Sequence, residues 1–252
     1  MKVELIAITP DAEKVIEEAG RTAYLSFDKQ TDFPILRIVR EDSKMVIQTE
    51  EVPQLRTAKE GEEVEYEGKK WRVERRWENS AEKFIKMLIR SGHLSVLEHA
   101  SASFRIKGGS RSFTHQLVRH RMASYTQQSQ RYVEETGFNF VTPPSIEANP
   151  EAREVFLNFI EEAKRTYSRL RELKIRKEDA RFVLPNAVVS EIVISANMRE
   201  WRHIIELRGD KKAQWEIRKM AVEILKILKE KTPSIFYDFR IEEDHIVRVD
   251  KT

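Results

Sequence analysis

Apolar positions recur along this chain with two different periods, and the switches between them mark its elements. Residues 9–20 carry a helical pattern: Thr9 and Pro10 stand at the start, Val15, Ile16 and Ala19 share one face, and Gly20 follows the end. From 35 to 77 the period shortens. Residues 35–39 and 45–47 form short β-type runs, and Val64, Tyr66, Trp71 and Val73 alternate with charge around Glu67-Gly68, which predicts a small hairpin-rich insertion. Asn79 or Ser80 then caps a helix with Ala81, Phe84, Ile85, Leu88 and Ile89 on its buried face, and Gly92 stops it.

Ser95 followed by Glu98 has capping-box spacing, so 95–99 reads as a short helical turn. Ala102, Phe104 and Ile106 alternate with polar residues as a half-buried strand that Gly108-Gly109 breaks. Ser110 caps a helix running through Phe113, Leu117 and His120, whereas 124–131 is too polar for a core element and reads as ligand-facing. Asn149 and Pro150 open a long helix whose buried stripe uses Phe156, Phe159, Ile160, Ala163, Tyr167 and Leu170. Residues 187–196, rich in Val and Ile, predict a strand; a helix around Trp201, Ile204 and Ile205 follows and Gly209 closes it. Asp210 is placed to cap a last helix, with Ala213, Ile217, Met220, Ala221, Ile224 and Leu228 buried before Pro233. These elements predict an α+β fold: an antiparallel or mixed sheet with several long helices packed on it, in one domain over 1–252 that carries the insertion at about 35–77.

Composition narrows the functional classes. With 40% hydrophobic and 35% charged residues the chain reads as a soluble globular protein, and no apolar run reaches the roughly 20 residues of a membrane span. The start of the chain lacks a signal peptide's long apolar stretch, so the expected location is cytoplasmic. A net charge of +3 offers no broad field for gripping nucleic acid, so any basic site must be local. The absence of Cys excludes disulfides, thiolate-ligated metals and Cys nucleophiles.

The densest polar segment, RHRMASYTQQSQRY at 119–132, holds three Arg, three Gln, two Ser, a Thr and a His with almost no compensating acid. Guanidinium forks suit phosphate oxygens, and Ser and Gln suit the edges of a base or a flavin ring, so the segment reads as a nucleotide site. The plainer reading is a solvated basic helix end, but such surfaces normally interleave Glu with Lys. If the segment were helical, Arg119 and Arg121 would lie about 200° apart and would serve different ligands or subunits. His93 and His99 are six apart and His115 and His120 five apart, so neither pair has metal-motif spacing and no metal is expected. Neither a Rossmann glycine fingerprint nor a Walker loop occurs.

Arg119-His120-Arg121, seven residues, then Ser129 reproduces the R-H-R-x7-S signature of the flavin-dependent thymidylate synthases. Residues 180–185, Asn197 with Arg199, and Leu207-Arg208 followed by 213–217 resemble other segments of that family in the same order. The likeness spans roughly 85–233, with a weaker match at 21–27.

The resemblance implies an FAD-dependent methyltransferase that carries a one-carbon unit from methylenetetrahydrofolate to carbon 5 of dUMP. NADPH-reduced FAD supplies the hydride, and dTMP and tetrahydrofolate are the products. The other known route to dTMP uses a Cys thiolate, which this chain does not have. By position, Ser95, Arg119, His120, Arg121, Gln127, Asn197, Arg199 and His203 resemble the FAD contacts. Gln116, Arg119, Gln128, Ser129, Gln130, Arg131, Arg181 and Arg208 resemble the dUMP ligands. Arg208 is the main catalytic candidate, a permanent cation that would stabilise the enolate-like pyrimidine. Ser129 stands beside it as a residue that orients dUMP, and His93 matches a family histidine near the flavin that helps admit folate or NADPH.

Three departures stand out. Gln127 replaces a Glu of some relatives, His203 stands where Asn is also found, and 35–77 is longer than the family needs. The family also implies a homo-oligomer, a tetramer with each flavin held by more than one subunit. The contrasting reading is an Arg-rich nucleic-acid-binding module without redox chemistry, against which the near-neutral net charge counts.

Overall fold

A computed structural model describes residues 1–249. Its ten strands are β1 (Lys2–Ile8), β2 (Ile35–Arg40), β3 (Ser43–Gln48), β4 (Glu63–Tyr66), β5 (Lys69–Trp77), β6 (Ser101–Ser110), β7 (Ala123–Gln127), β8 (Val189–Asn197), β9 (Phe239–Glu242) and β10 (His245–Arg248). The helices are α1 (Ala12–Thr22), α2 (Ser80–Arg90), α3 (Arg111–Leu117), α4 (Pro144–Glu147), α5 (Pro150–Glu172), α6 (Lys177–Ala180), α7 (Met198–Gly209) and α8 (Trp215–Lys231). The fold is α+β, with wholly antiparallel strand pairing.

The main sheet has the order β1-β6-β8-β7. Its period-2 pattern is what orients it: Ala102, Phe104 and Ile106 of β6 stand opposite Ala196, Ile194 and Ile192 of β8, and all are buried on one face. Helices α7 and α8 cover that face. Trp201 of α7 packs edge-on against Phe104, with centroids 5.1 Å apart, and its indole N–H donates to the Ala102 carbonyl at 3.0 Å. Burying so large a ring without that acceptor would leave a polar atom unsatisfied.

A second sheet, β3-β2-β5-β4, has its own core of Leu36, Ile38, Ile47, Leu55, Trp71 and Val73. It leads into α2, whose cap is Asn79: its side-chain oxygen accepts from the Glu82 amide at 2.8 Å. The β9–β10 hairpin is tied to α7 by Asp238, a buried carboxylate that accepts two 2.7 Å hydrogen bonds from Arg202 and one of 2.8 Å from Arg248.

Several local expectations give way to tertiary contacts. Thr9 caps no helix; it pairs with Ser101 at the start of β6, and α1 starts at Ala12 after Asp11 in a left-handed conformation. Gly20 lies inside α1, because a Cβ there would sit 2.6 Å from the Phe84 ring of α2. Helix α3 ends at Leu117, so His120 lies in the turn beyond it. Residues 123–127 form edge strand β7, since its polar side chains tolerate the exposed face while its backbone pairs with β8. Phe159 is 56% exposed, off the buried stripe of Ile160, Ala163 and Tyr167. The last helix is capped by Gln214, whose Oε1 accepts from the Glu216 and Ile217 amides, while Asp210 accepts from Lys212 instead. Strands β1, β9 and β10 have no counterpart in the sequence reading, being short or paired only at long range.

Candidate active site

The 119–132 segment is held by a strand, a turn and one tyrosine. Ser110 caps α3 by accepting from the Phe113 amide at 3.0 Å, and buried Glu216 of α8 accepts from both the Ser110 amide and its hydroxyl at 2.7 Å. That clamp fixes where α3 starts. At its other end Tyr125 of β7 donates its hydroxyl hydrogen toward the Leu117 and His120 carbonyls, each 2.9 Å away, so the chain must turn sharply back toward the sheet. Arg119 and Arg121 are consequently exposed on either side of buried His120. This is turn geometry, so the 200° helical argument does not apply to these two arginines.

His120 meets α7 on both ring nitrogens. Its Nε2 accepts from Arg208 Nε at 2.9 Å, which leaves the ring proton on Nδ1, 3.5 Å from Glu200 Oε1. Burial first, then the Arg208 charge, then His203, lower its pKa to about 4, so the ring is neutral in the physiological range. Arg208 also donates through Nη2 to the Gln116 carbonyl at 3.3 Å. Burial raises Tyr125 to about 12; the Glu200 carboxylate adds to the rise and the Arg208 charge opposes it. Glu200 is itself raised, by burial against the opposing effect of His203.

Asn197, Arg199 and His203 line one cavity of about 500 Å³ with Leu94, Met122 and Glu200. Asn197 caps α7 through the Glu200 amide at 2.8 Å, and Arg199 pairs with Glu98 at 2.6 Å. His203 stacks edge-on against His120 with centroids 5.6 Å apart. Ser95 is exposed on the adjoining 3-10 turn Leu94–His99, one residue from Leu94 of the cavity wall. The ligand atoms of His120, Glu200 and His203 lie within 4.8 Å of one another, an arrangement that could hold a cation although no spacing in the sequence announces it. The Arg208 guanidinium on the same imidazole opposes a second positive charge there.

The remaining dUMP candidates gather elsewhere. Ser129 Oγ accepts from the Arg131 amide at 3.3 Å, and its carbonyl accepts from Tyr132 and Val133. Arg131 Nε donates to Glu178 at 3.2 Å, and Arg181 Nε donates to the Glu178 carbonyl at 3.1 Å. Gln128 donates to Glu135 at 3.1 Å, and Gln130 is buried. Arg111, which no motif singled out, joins this group: its pKa is lowered by burial and by the nearby Arg181 charge. Arg131 and Arg181, both held through Glu178, and Arg111 beside Arg181 bring guanidinium donors from three segments, chemistry that suits a phosphate. Gln127 lies between the two groups, donating to Thr114 Oγ1 at 2.9 Å and Ser190 Oγ at 3.1 Å. No hydrogen bond or ion pair joins the Arg208 group to the Ser129 group among the described residues. His93 stands apart from both, on the wall of a different cavity.

Sequence reasoning missed Tyr125, Glu200, Glu98 and Arg111. The first three are ordinary surface-type residues in sequence, and their roles arise from pairing across β7, α7 and the 94–99 turn.

Comparison with known proteins gives concordant results. The chain is similar to the flavin-dependent thymidylate synthase of Geobacter sulfurreducens, 48% identical over 157 residues, which cover 62% of this chain and 68% of that protein. It is 35% identical over 244 residues to the flavin-dependent thymidylate synthase of Corynebacterium diphtheriae, covering 91% of this chain and 79% of that one. The family described as thymidylate synthase complementing protein (Thy1) matches residues 4–234, and the chain belongs to that family.

Proposed function

We propose that the protein is a flavin-dependent thymidylate synthase that methylates dUMP reductively to dTMP. FAD is the flavin in this reading, methylenetetrahydrofolate the one-carbon donor and NADPH the reductant. The observation that carries it is the Arg208 guanidinium, held in place by a neutral imidazole and a backbone carbonyl instead of by a carboxylate. Its full positive charge therefore remains available to an anionic ligand.

The donor chemistry fits a flavin dinucleotide: Arg199, Asn197 and His203 line one cavity with Met122, and Arg121, next to Met122 in the chain, and Arg119 are exposed, which offers anion-binding forks together with amide and ring contacts. When bound, the flavin supplies hydride transfer. Arg119, His120, Arg121, Asn197, Arg199 and His203 would hold it, with Ser95 and Gln127 at the edges. Arg131 and Arg181 would take the dUMP phosphate, with Ser129, Gln128 and Gln130 orienting the nucleotide. Arg208 would stabilise negative charge on the pyrimidine ring and so raise the nucleophilicity of carbon 5, electrostatic work that needs no thiolate. Gln116 completes the nucleotide set, and His93 would border the entry of the folate or the nicotinamide.

We also assign the protein to the cytoplasm and to a homotetramer. Exposed Val118, Met122 and Leu207 beside the Arg208 group support an interface there, since large apolar side chains at a ligand site are covered by substrate or by a second copy. A nucleic-acid-binding role has no support: the net charge is only +3, and the family and the relatives matched are thymidylate synthases. A yellow absorption spectrum of the purified protein, together with dUMP-dependent NADPH oxidation that yields dTMP only with methylenetetrahydrofolate, tests the proposal. A colourless protein that cannot be loaded with flavin would overturn it.

A further inference from the structure

Strands β2 and β5 of the second sheet, the end of α1 and helix α2 enclose a cavity of about 910 Å³, larger than the one beside Asn197 and His203. Cationic side chains converge on it from three elements, Lys29 from the segment after α1, Arg37 from β2 and Lys83 from α2, and no Asp or Glu lines it. Aromatic rings accompany them. Lys83 and Arg37 lie 5.3 and 5.5 Å from the Trp77 ring centroid, and Tyr24, 76% exposed, stands on the same wall with Phe84.

Like charges around a concave surface repel one another unless an anion sits among them. Lys83 records that condition: burial lowers its pKa, and the charges acting on it, Arg37, Arg21 and Lys29, all push the same way. Arg21 is already paired with Glu17, and Arg37 has one exposed partner, Glu74, at 3.4 Å. Lys83 makes no ion pair among the described residues, so it adds positive charge to the wall that no described carboxylate neutralises.

The position matters as much as the charge. His93 lines this cavity and its neighbour Leu94 lines the cavity beside Asn197 and His203, so one turn of chain separates the two. We propose that this cavity binds a ligand that joins a flat ring to two or more anionic groups, the anions on Lys83, Arg37 and Lys29 and the ring against Tyr24. That this ligand is a co-reactant rests on the thymidylate synthase reading; the site itself does not. Two sources share the chemistry, a folate with its glutamate carboxylates and a nicotinamide dinucleotide with its phosphates. The second sheet then has a task, since Arg37 and Trp77 build one wall of the site.

Titration calorimetry of the flavin-loaded full-length protein with tetrahydrofolate monoglutamate, tetrahydrofolate pentaglutamate and NADP+ tests this. At least one probe is expected to bind, and Lys83→Glu and Arg37→Glu are each expected to weaken it tenfold or more while flavin content and dUMP affinity stay unchanged. Lys83→Arg should restore binding. Tyr24→Ala, at an exposed position, covers the case in which a charge reversal fails to fold, and a threefold or greater loss is expected there. Loss confined to the pentaglutamate identifies an oligocarboxylate site, and loss confined to NADP+ identifies a phosphate site. Unchanged affinities in the folded variants, or no binding of any probe to the parent, would overturn the proposal. dTMP formation by the parent with unchanged affinities in the variants sinks the site and leaves the synthase reading; the reverse result sinks the reading and leaves the site.

Discussion

Arg208 Nε donates a 2.9 Å hydrogen bond to Nε2 of His120, so a permanent cation on α7 is positioned by a neutral ring from the turn after α3. The pair is 88 residues apart in sequence, and a carboxylate in the place of the imidazole would have cancelled the charge that the proposed chemistry needs. The family's Arg-His-Arg signature thus has a local reason in this chain: the outer arginines are exposed, and the central histidine faces inward to hold a third.

Arg208→Ala is expected to lower dTMP formation about 10²- to 10³-fold at saturating dUMP, the size of a lost electrostatic contact to a transition state. Flavin should remain bound. Arg208→Lys should rescue little, because an ammonium cannot serve His120 and the Gln116 carbonyl with a planar fork. Equal turnover in parent and Arg208→Ala would reject the assignment.

The same contact predicts a pH dependence of stability. The unfolded histidine titrates near 6.5 and the folded one near 4, so between these values the unfolded state binds more protons and stability falls as pH drops. The stabilisation is complete above about 6.5 and lost toward 4, a total of about 3 kcal/mol. Glu200, raised by burial, acts in the opposite sense. His120→Gln keeps an acceptor for Arg208 but no titration, so its Tm should vary less between pH 4 and 6.5 than the parent's. Parallel Tm profiles would refute the shift.

Tyr125→Phe removes a hydroxyl shared by the Leu117 and His120 carbonyls. We expect a destabilisation of about 1–3 kcal/mol, the cost of leaving part-buried acceptors without their donor. Because the turn carries His120, turnover should fall while the dUMP affinity of the Ser129 group holds. Urea denaturation and steady-state kinetics on the same variant separate the two effects.

Ser129→Ala should raise the KM for dUMP without abolishing kcat, since the hydroxyl accepts from the Arg131 amide and has no base beside it among the described residues. A covalent nucleotide adduct on Ser129, trapped and located by mass spectrometry, would contradict this role.

For the proposed tetramer, Arg121→Glu places an acid at an exposed position next to Met122, itself 72% exposed. Flavin release together with subunit dissociation is the expected result by light scattering and absorbance. A monomer that keeps stoichiometric flavin and full activity would remove the interface from the account.

Hydrophobic period alone determined the α+β class, the helices at 80–90, 150–172 and 215–231, and the central strands, because each buries one continuous face that local spacing records. The signature residues, too, are legible in one dimension, as is the lack of any thiolate route. Tertiary structure decided the rest. Edge strand β7 offers only Ala123 and Tyr125 to the core and exists through its ladder with β8, and β1 owes its place to pairing with β6 about a hundred residues away. The His120–Arg208 contact, the His120–Glu200–His203 grouping and the basic wall formed by Lys29, Arg37 and Lys83 join residues from separate elements. Their geometry follows from how helices and sheets pack, a long-range property that the spacing of residues along a chain does not encode.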